Sequence, residues 1–378
     1  MTDTGRVLIA ADKFKGSLTA PEVAEHVAAG IRAARPAAEV VALPVADGGD
    51  GTVDAAVAGG FSPVEAEVTG PLGLPVLASF ALRGDVAIVE MAQAAGLRLL
   101  PPFTFAPMTA TTYGTGELIE AALNAGARTV VLGVGGSATT DGGAGMLAAL
   151  GARLLDVDGD PVAHGGGPLR ELVAADLSGL DPRLKDTEFV LAGDVDNPLT
   201  GPLGAAAVYG PQKGADPVDV ETLDAALTNL VCVLERTVGA RAVECADAPG
   251  AGAAGGIGYA ALLGLNATFR PGIEVLLDVL GFAAALERTS LVITGEGSLD
   301  EQTLHGKAPA GVAAAARAAG LRTVAVCGRL AIGEDALRGA GIEKAYPLTS
   351  VEPDVAACIE NAGPLLERVA RLLAEEQL

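Results

Sequence analysis

The sequence predicts an α/β protein: a doubly wound parallel-sheet domain interrupted by a second, inserted α/β domain. Three observations point there. Strand-length apolar runs alternate with amphipathic helix-length runs at the start of the chain, and the same alternation returns at its end. Either end alone supplies about three strands, few for a sheet covered on both faces, whereas together they make one open parallel sheet. The middle, residues 73–288, is richer in glycine and proline and carries strands of its own. The expected division is therefore 1–72 with 289–378, and 73–288 inserted; two sequential domains split near residue 200 is the competing pattern.

At the N-terminal end the expected order is strand 7–11, helix 20–34, strand 40–44, helix 51–58 and strand 64–69. Thr19-Ala-Pro-Glu22 opens the first helix as a capping box with an early proline. The run TGPLGLP (69–75) reads as a turn or hinge into the insert, whose expected strands are 76–81, 87–90, 129–132 and 188–192. Residues near 282–290 lead back. The C-terminal end then gives strand 291–294, helix 308–319, strand 323–327, helix 334–340, strand 345–347 and helix 355–374.

With 378 residues, half of them hydrophobic but only 3% aromatic and none Trp, the core must be close-packed Ala, Val and Leu. The 47 acidic against 25 basic residues give a net charge of −22. That argues against a nucleic-acid or anionic-membrane surface, since both are bound by cations that neutralise phosphate. An acidic protein that handles phosphates has to gather its few cations, or a metal ion, at one site. Cys232, Cys245, Cys327 and Cys358 show no CxxC spacing and read as reduced thiols. No run approaches the ~20 apolar residues of a membrane span, and the short VLIAA stretch does not make a signal peptide. A soluble, cytoplasmic protein is expected, and its size is compatible with a homodimer.

The candidate chemistry lies in glycine-rich and acidic loops after predicted strands. Residues 133–147, GVGGSATTDGGAGML, link a strand to a helix and place Gly135, Gly136 and Ser137 where backbone N–H groups can approach an anion. Asp141 in that loop would meet Mg²⁺, a backbone N–H or a ribose hydroxyl. A second cluster, PGAGAAGGIG (249–258) with Gly255 and Gly256, also opens a predicted helix. The alternative for both clusters is close packing through small residues. No GxxxxGK[ST] occurs, and the lone GxGxxG at 250–255 lacks a preceding buried strand, which leaves a hydroxy-acid dehydrogenase weakly supported.

Four polar groups complete the set. Asp12, Lys13, Lys15 and Ser17 follow the first strand, and Asp47 and Asp50 follow the second. Both sit at the edge where open α/β sheets bind ligands. Asp194, Asp196 and Asn197 form a tight turn suited to Mg²⁺ or to a base that removes a hydroxyl proton; an Asx-turn is the plain alternative. Glu296, Ser298 and Asp300, followed by His305 and Lys307, come after the first strand of the C-terminal half. Two glycine loops, acidic turns, scarce cations and no nucleophile elbow point to phosphoryl transfer to a small polar acceptor, at a cleft between the domains.

The segments IAADKFKGSLTAPEVAEHVAAGI, VADGGDGTVDA, VTGPLG, TTYGTGELI, GVGGSATTDGGAGML, DVDNPLTGPLGAA, GPQKGA, PGAGAAGGIG and ITGEGSLDEQTLHGK run in order over nearly the whole chain. Together they resemble the bacterial glycerate kinase family, the type that phosphorylates D-glycerate. The resemblance implies a flavodoxin-like domain interrupted by a second α/β domain, and Mg²⁺-dependent transfer from ATP to D-glycerate, typically giving 2-phosphoglycerate. A 3-phosphoglycerate product and a non-catalytic ligand-binding member are the alternatives. Carried over by position, Asp12, Lys15 and Ser17 match the first loop, and Asp47 the second, where Asp50 replaces the commoner Glu. Asp194 and Asn197 match the DVxNPL turn, and Glu296, Asp300, His305 and Lys307 the last motif. Lys13 stands where many members have Ser, and Thr140 where Asn is common. The implied roles are Asp194 as base or metal ligand, with Asp12 and Lys15 catalytic. Ser17, Asp47, Asn197, His305 and Lys307 would meet substrate. Gly135, Gly136, Ser137, Gly255 and Gly256 would hold ATP phosphates. Glu296 and Asp300 would join Asp194 at the metal.

Overall fold

The computed structural model describes residues 5–304 and 306–378. Its strands are β1 (Arg6–Ala11), β2 (Val40–Ala42), β3 (Ser62–Thr69), β4 (Pro75–Arg83), β5 (Val86–Glu90), β6 (Thr129–Gly133), β7 (Arg153–Leu155), β8 (Ala174–Asp176), β9 (Glu188–Ala192), β10 (Thr268–Arg270), β11 (Thr289–Leu299), β12 (Arg322–Leu330) and β13 (Ala345–Pro347). The chain forms two compact units. One comprises the chain through Asp47, Asp54–Phe61 and Pro271–Leu378; the other comprises Gly48–Val53 and Ser62–Arg270.

In the first unit the sheet order is β13-β12-β11-β1-β2, with every pairing parallel. Renumbered within the unit this is 2-1-3-4-5, the flavodoxin-like order, whose switch point lies between β1 and β11. Val7 to Ala11 are fully buried, as a central strand covered on both faces requires. The helix Ala20–Ala34 begins with the expected capping box: the Thr19 N–H donates to Glu22 Oε2 at 2.8 Å and the Glu22 N–H to Thr19 Oγ1. It packs along Ala362–Gln377, and Gly30 is where the backbones meet, since a Cβ there would lie 2.4 Å from the Glu367 carbonyl oxygen.

The second unit is built on the order β10-β9-β6-β5-β4-β3. Strands β5, β6, β9 and β10 are parallel, and β4 and β3 extend the sheet antiparallel. A two-stranded ribbon, β7 with β8, is separate. One core packs helix Tyr113–Asn124 and helix Ile257–Gly264 around this sheet. Another gathers around the 22-residue helix Pro217–Val238.

Three differences from the sequence reading have clear causes. The strand expected at 64–69 belongs to the second sheet, not the first. The Gly70 N–H bonds the Leu74 carbonyl at 2.7 Å, so TGPLGLP is a hairpin turn that pairs β3 with β4 from Ser62–Leu82 to Thr69–Pro75. Apart from Gly48–Val53, the compact units exchange at 61/62 and 270/271, beside the expected 72/73 and 288/289. β11 does not stop at Thr294 but runs on through Gly-Glu-Gly-Ser to Leu299, because β12 continues beside it and pairs Glu296 with Cys327, Ser298 with Arg329 and Leu299 with Leu330. The helix expected over 355–374 is two, Val355–Glu360 and Ala362–Gln377. Pro364, which lacks an N–H, forces a fresh start at Asn361.

Candidate active site

In the first unit the chemical groups collect at the carboxyl edge, at the switch point. The Asp12 N–H donates to the Gly295 carbonyl at 2.8 Å, so Asp12 continues β1 while Glu296 continues β11 beside it. Gly297 lets the next loop come close: a Cβ there would sit 3.2 Å from the Lys15 nitrogen. That loop is a tight turn, with Gly16 at φ +86° and the Ser17 hydroxyl donating to the Phe14 carbonyl at 3.1 Å. It leaves the Lys15 side chain exposed. Asp47 lies beyond β2, whose register against β1 is carried on by the Val45 N–H to Ala11 carbonyl bond.

The Asp12 and Glu296 carboxyls are held above their ordinary range. Burial is the main reason that the Asp12 carboxyl is pushed up to about 6; the Lys13 ammonium, 3.6 Å away, opposes the shift and Asp47 adds to it. Burial likewise drives Glu296 up to about 7. A hydrogen bond from the Thr303 hydroxyl and the charge of Lys307 resist, while Asp12 and Asp300 push further. Asp300 accepts from the Gln302 N–H, and Lys307 Nζ donates to Gln302 Oε1 at 3.3 Å. His305 lies outside the described residues.

In the second unit the carboxyl ends of neighbouring strands β6 and β9 carry the glycine-rich loop and the Asp194 turn. Gly133 pairs with Ala192, the Val134 N–H bonds the Ala192 carbonyl, and the Gly193 N–H bonds that of Arg270. The Asp194 and Asp196 side chains are exposed. Asn197 is committed internally: its Nδ2 donates to the Leu203 carbonyl at 2.9 Å and its Oδ1 accepts from the Tyr209 hydroxyl at 2.6 Å. One amide hydrogen remains for a ligand.

The glycines of both loops have packing reasons. A Cβ on Gly135 would lie 2.4 Å from Gly49 Cα, and one on Gly136 would lie 2.3 Å from Asp50 Oδ1. Gly255, at φ +73°, would place a Cβ 1.9 Å from the Thr139 carbonyl oxygen, and Gly256 would meet Gly142 Cα at 2.5 Å. Gly255 and Gly256 are buried against residues 139–142, where the Gly142 N–H bonds the Gly255 carbonyl, so both have a packing reason to be glycine. Gly136 is exposed, Gly135 is half-buried, and Ser137 is buried in a bridge to Gly96. Asp141, fully buried, meets backbone N–H groups, one of the three partners expected of it. It accepts from the N–H of Thr112, Gly143 and Gly145 and from the Thr112 hydroxyl, at 2.8–3.3 Å. Burial raises its carboxyl pKa and these bonds restrain the rise. Asp141→Ala would strand four buried donors; a loss of about 3–5 kcal/mol is expected in urea unfolding.

Three further residues bear on the site. Glu90, buried at the end of β5, accepts from the N–H of Gly51 and Val53 and so fixes the start of helix Thr52–Ala58. Thr112 ties Asp141 to helix Tyr113–Asn124. Lys213 is buried beneath the glycine-rich loop, with Nζ donating to the Thr139 carbonyl at 2.6 Å. Two carried a faint signal: Glu90 as a carboxylate closing an apolar strand, and Lys213 as a lone lysine inside GPQKGA.

No three His, Cys, Asp or Glu side chains among the described residues converge as a metal site. Mg²⁺ takes oxygen donors, commonly one or two carboxylates with the rest from phosphate and water. The Asp194 turn and the undercompensated Glu296–Asp300 edge have that chemistry, so the residues fit such an ion.

A flavodoxin-order sheet ending in carboxylates and lysines, with a second sheet ending in a glycine loop and an acidic turn, defines a phosphotransferase. The chain belongs to the glycerate kinase family, whose sequence model matches residues 7–377. It is 44% identical over 372 residues to a Bacillus subtilis (strain 168) glycerate kinase, covering 98% of this chain and 97% of that one. It is 44% identical over 350 residues to the Escherichia coli (strain K12) glycerate 2-kinase, covering 92% and 91%. A crystal structure from Salmonella typhimurium LT2, described as a glycerate kinase 2, superposes with a TM-score of 0.85 at 43% identity over 98% and 97% of the chains.

Proposed function

We propose that this chain transfers the terminal phosphoryl group of ATP to the 2-hydroxyl of D-glycerate. The observation that carries the reading is 44% identity to a glycerate 2-kinase across nine-tenths of both chains. The charge-rich edge at the switch point and the exposed Asp194 turn support it. Asp194 accepts the proton of the attacking hydroxyl as the oxygen–phosphorus bond forms and the bond to the ADP oxygen breaks. Lys15, with Lys307, offsets negative charge on the carboxylate or the transferring group. Asp12, Ser17, Asp47, Asn197 and His305 orient glycerate. The backbone of half-buried Gly135 and exposed Gly136, with Ser137 behind it, meets the nucleotide. Mg²⁺, when bound with ATP, would neutralise phosphate charge; Glu296 and Asp300 are the carboxylates assigned to it, with Asp194 joining them as the alternative to its role as base.

The test is ADP formation with D-glycerate and Mg²⁺. L-glycerate and glycerol should give none. Phosphorus NMR of the product should show 2-phosphoglycerate; 3-phosphoglycerate would reassign the hydroxyl, and a folded protein that releases no ADP would end the reading.

A further inference from the structure

Helix Ala205–Tyr209 and the turn that follows it reach both loops of the second unit. From the helix, the Tyr209 hydroxyl donates to Asn197 Oδ1 at 2.6 Å, on the Asp194 turn. Four residues on, Lys213 Nζ donates to the Thr139 carbonyl at 2.6 Å, inside the glycine-rich loop. The segment is stiff. The Gly210 N–H bonds the Ala206 carbonyl, and the Lys213 and Ala215 N–H groups both bond Gly210. Gly214 takes φ +90° and lies so close to Phe105 that a Cβ would come within 2.4 Å of the Phe105 Cβ.

Lys213 is the unusual member. Its side chain is 2% exposed, and lysines are almost never so buried without a task for the charge. Burial pulls its pKa down to about 7, while the charge of Asp141 in the same loop favours the ammonium. A methionine would fill the space without the desolvation cost. The carbonyl that the ammonium holds belongs to Thr139, the residue on which Gly255 also closes.

We propose that segment 205–214 is a brace with two arms, in which Lys213 positions the glycine-rich loop and Tyr209, through Asn197, positions the Asp194 turn. Neither is a catalytic residue, because each acts through another side chain or carbonyl. The inference rests on the reading above, in which the loop serves ATP and the turn serves D-glycerate. One arm therefore sets the nucleotide KM and the other the acceptor KM.

Steady-state kinetics in both substrates tests this. Lys213→Met is expected to raise the KM for ATP about tenfold, the loss of one charged hydrogen bond, with the D-glycerate KM unchanged. Tyr209→Phe is expected to raise the D-glycerate KM about fivefold with the ATP KM unchanged. A merely structural role would lower the active fraction, and hence kcat, in both variants without this crossed pattern. If Lys213→Met fails to fold because Asp141 is left as a lone buried charge, Lys213→Met combined with Asp141→Asn carries the nucleotide arm. Wild-type values of both KM in folded variants, or equal changes in both, overturn the brace. A wild-type protein inactive on D-glycerate overturns the function instead.

Discussion

Asp194→Asn is expected to lower kcat by about two to four orders of magnitude while leaving the protein folded. The carboxylate sits just past β9, on a turn held by the Gly193 N–H to Arg270 carbonyl bond. Its side chain is exposed, so an isosteric amide disturbs little packing. What the amide cannot do is accept the proton of the glycerate hydroxyl. In phosphoryl transfer, positioning and charge do most of the work, and a base contributes what remains. Urea unfolding should therefore superimpose on the wild type while turnover collapses. The alternative role is separable: if the variant recovers most of its kcat at raised Mg²⁺, Asp194 is a metal ligand and not the base. Near-normal turnover at ordinary Mg²⁺ would remove it from both roles.

How much of this was legible beforehand depends on the kind of signal. Strands such as β1, β6 and β9 are continuous apolar runs and are visible at once. β3 alternates Val64, Ala66 and Val68, which reveals a half-buried strand but not its sheet; only the hairpin after Thr69 decides that. Pairing also decided β11, where Gly295 and Gly297 interrupt the apolar pattern although the backbone remains in the sheet. The acidic site residues could be read because carboxylates after a buried strand stand out. The glycine clusters could not, since a glycine needed for a ligand and a glycine needed for a neighbouring backbone look alike in sequence. At Gly255 the structure supplies a packing reason, since the Thr139 carbonyl occupies the place of a Cβ. Lys213 was hidden for the opposite reason. A lysine between glycine and proline reads as a surface turn, and only burial reveals that its charge is used inside.

Glu296→Gln should stabilise the protein at pH 8 and lower its activity at least about a hundredfold, a combination expected of a group kept for function at a cost to the fold. The Glu296 carboxyl titrates near 7 in the folded chain against 4.5 as its ordinary value. A raised carboxyl pKa means that the folded state binds the proton more tightly than the unfolded one. Below about pH 4.5 both states are protonated and Glu296 exacts no penalty. The penalty grows as pH rises and is complete above about pH 7, at roughly 1–3 kcal/mol once solvent access is allowed for. Glutamine keeps an oxygen for the Thr303 hydroxyl and removes the charge that Asp12 and Asp300 oppose. The variant should thus gain roughly 1–3 kcal/mol over the wild type at pH 8 and nothing at pH 4. Asp12, pushed up to about 6, acts in the same direction over a slightly lower pH range, so the comparison is made between variant and wild type at each pH. With D-glycerate and ATP, the same substitution should lower kcat/KM at least about a hundredfold if Glu296 is, as proposed, one of the carboxylates that hold Mg²⁺. A variant less stable than the wild type at pH 8 would show that the ionised Glu296 holds the fold together, and the carboxyl edge would lose its claim to be a site built for a cation.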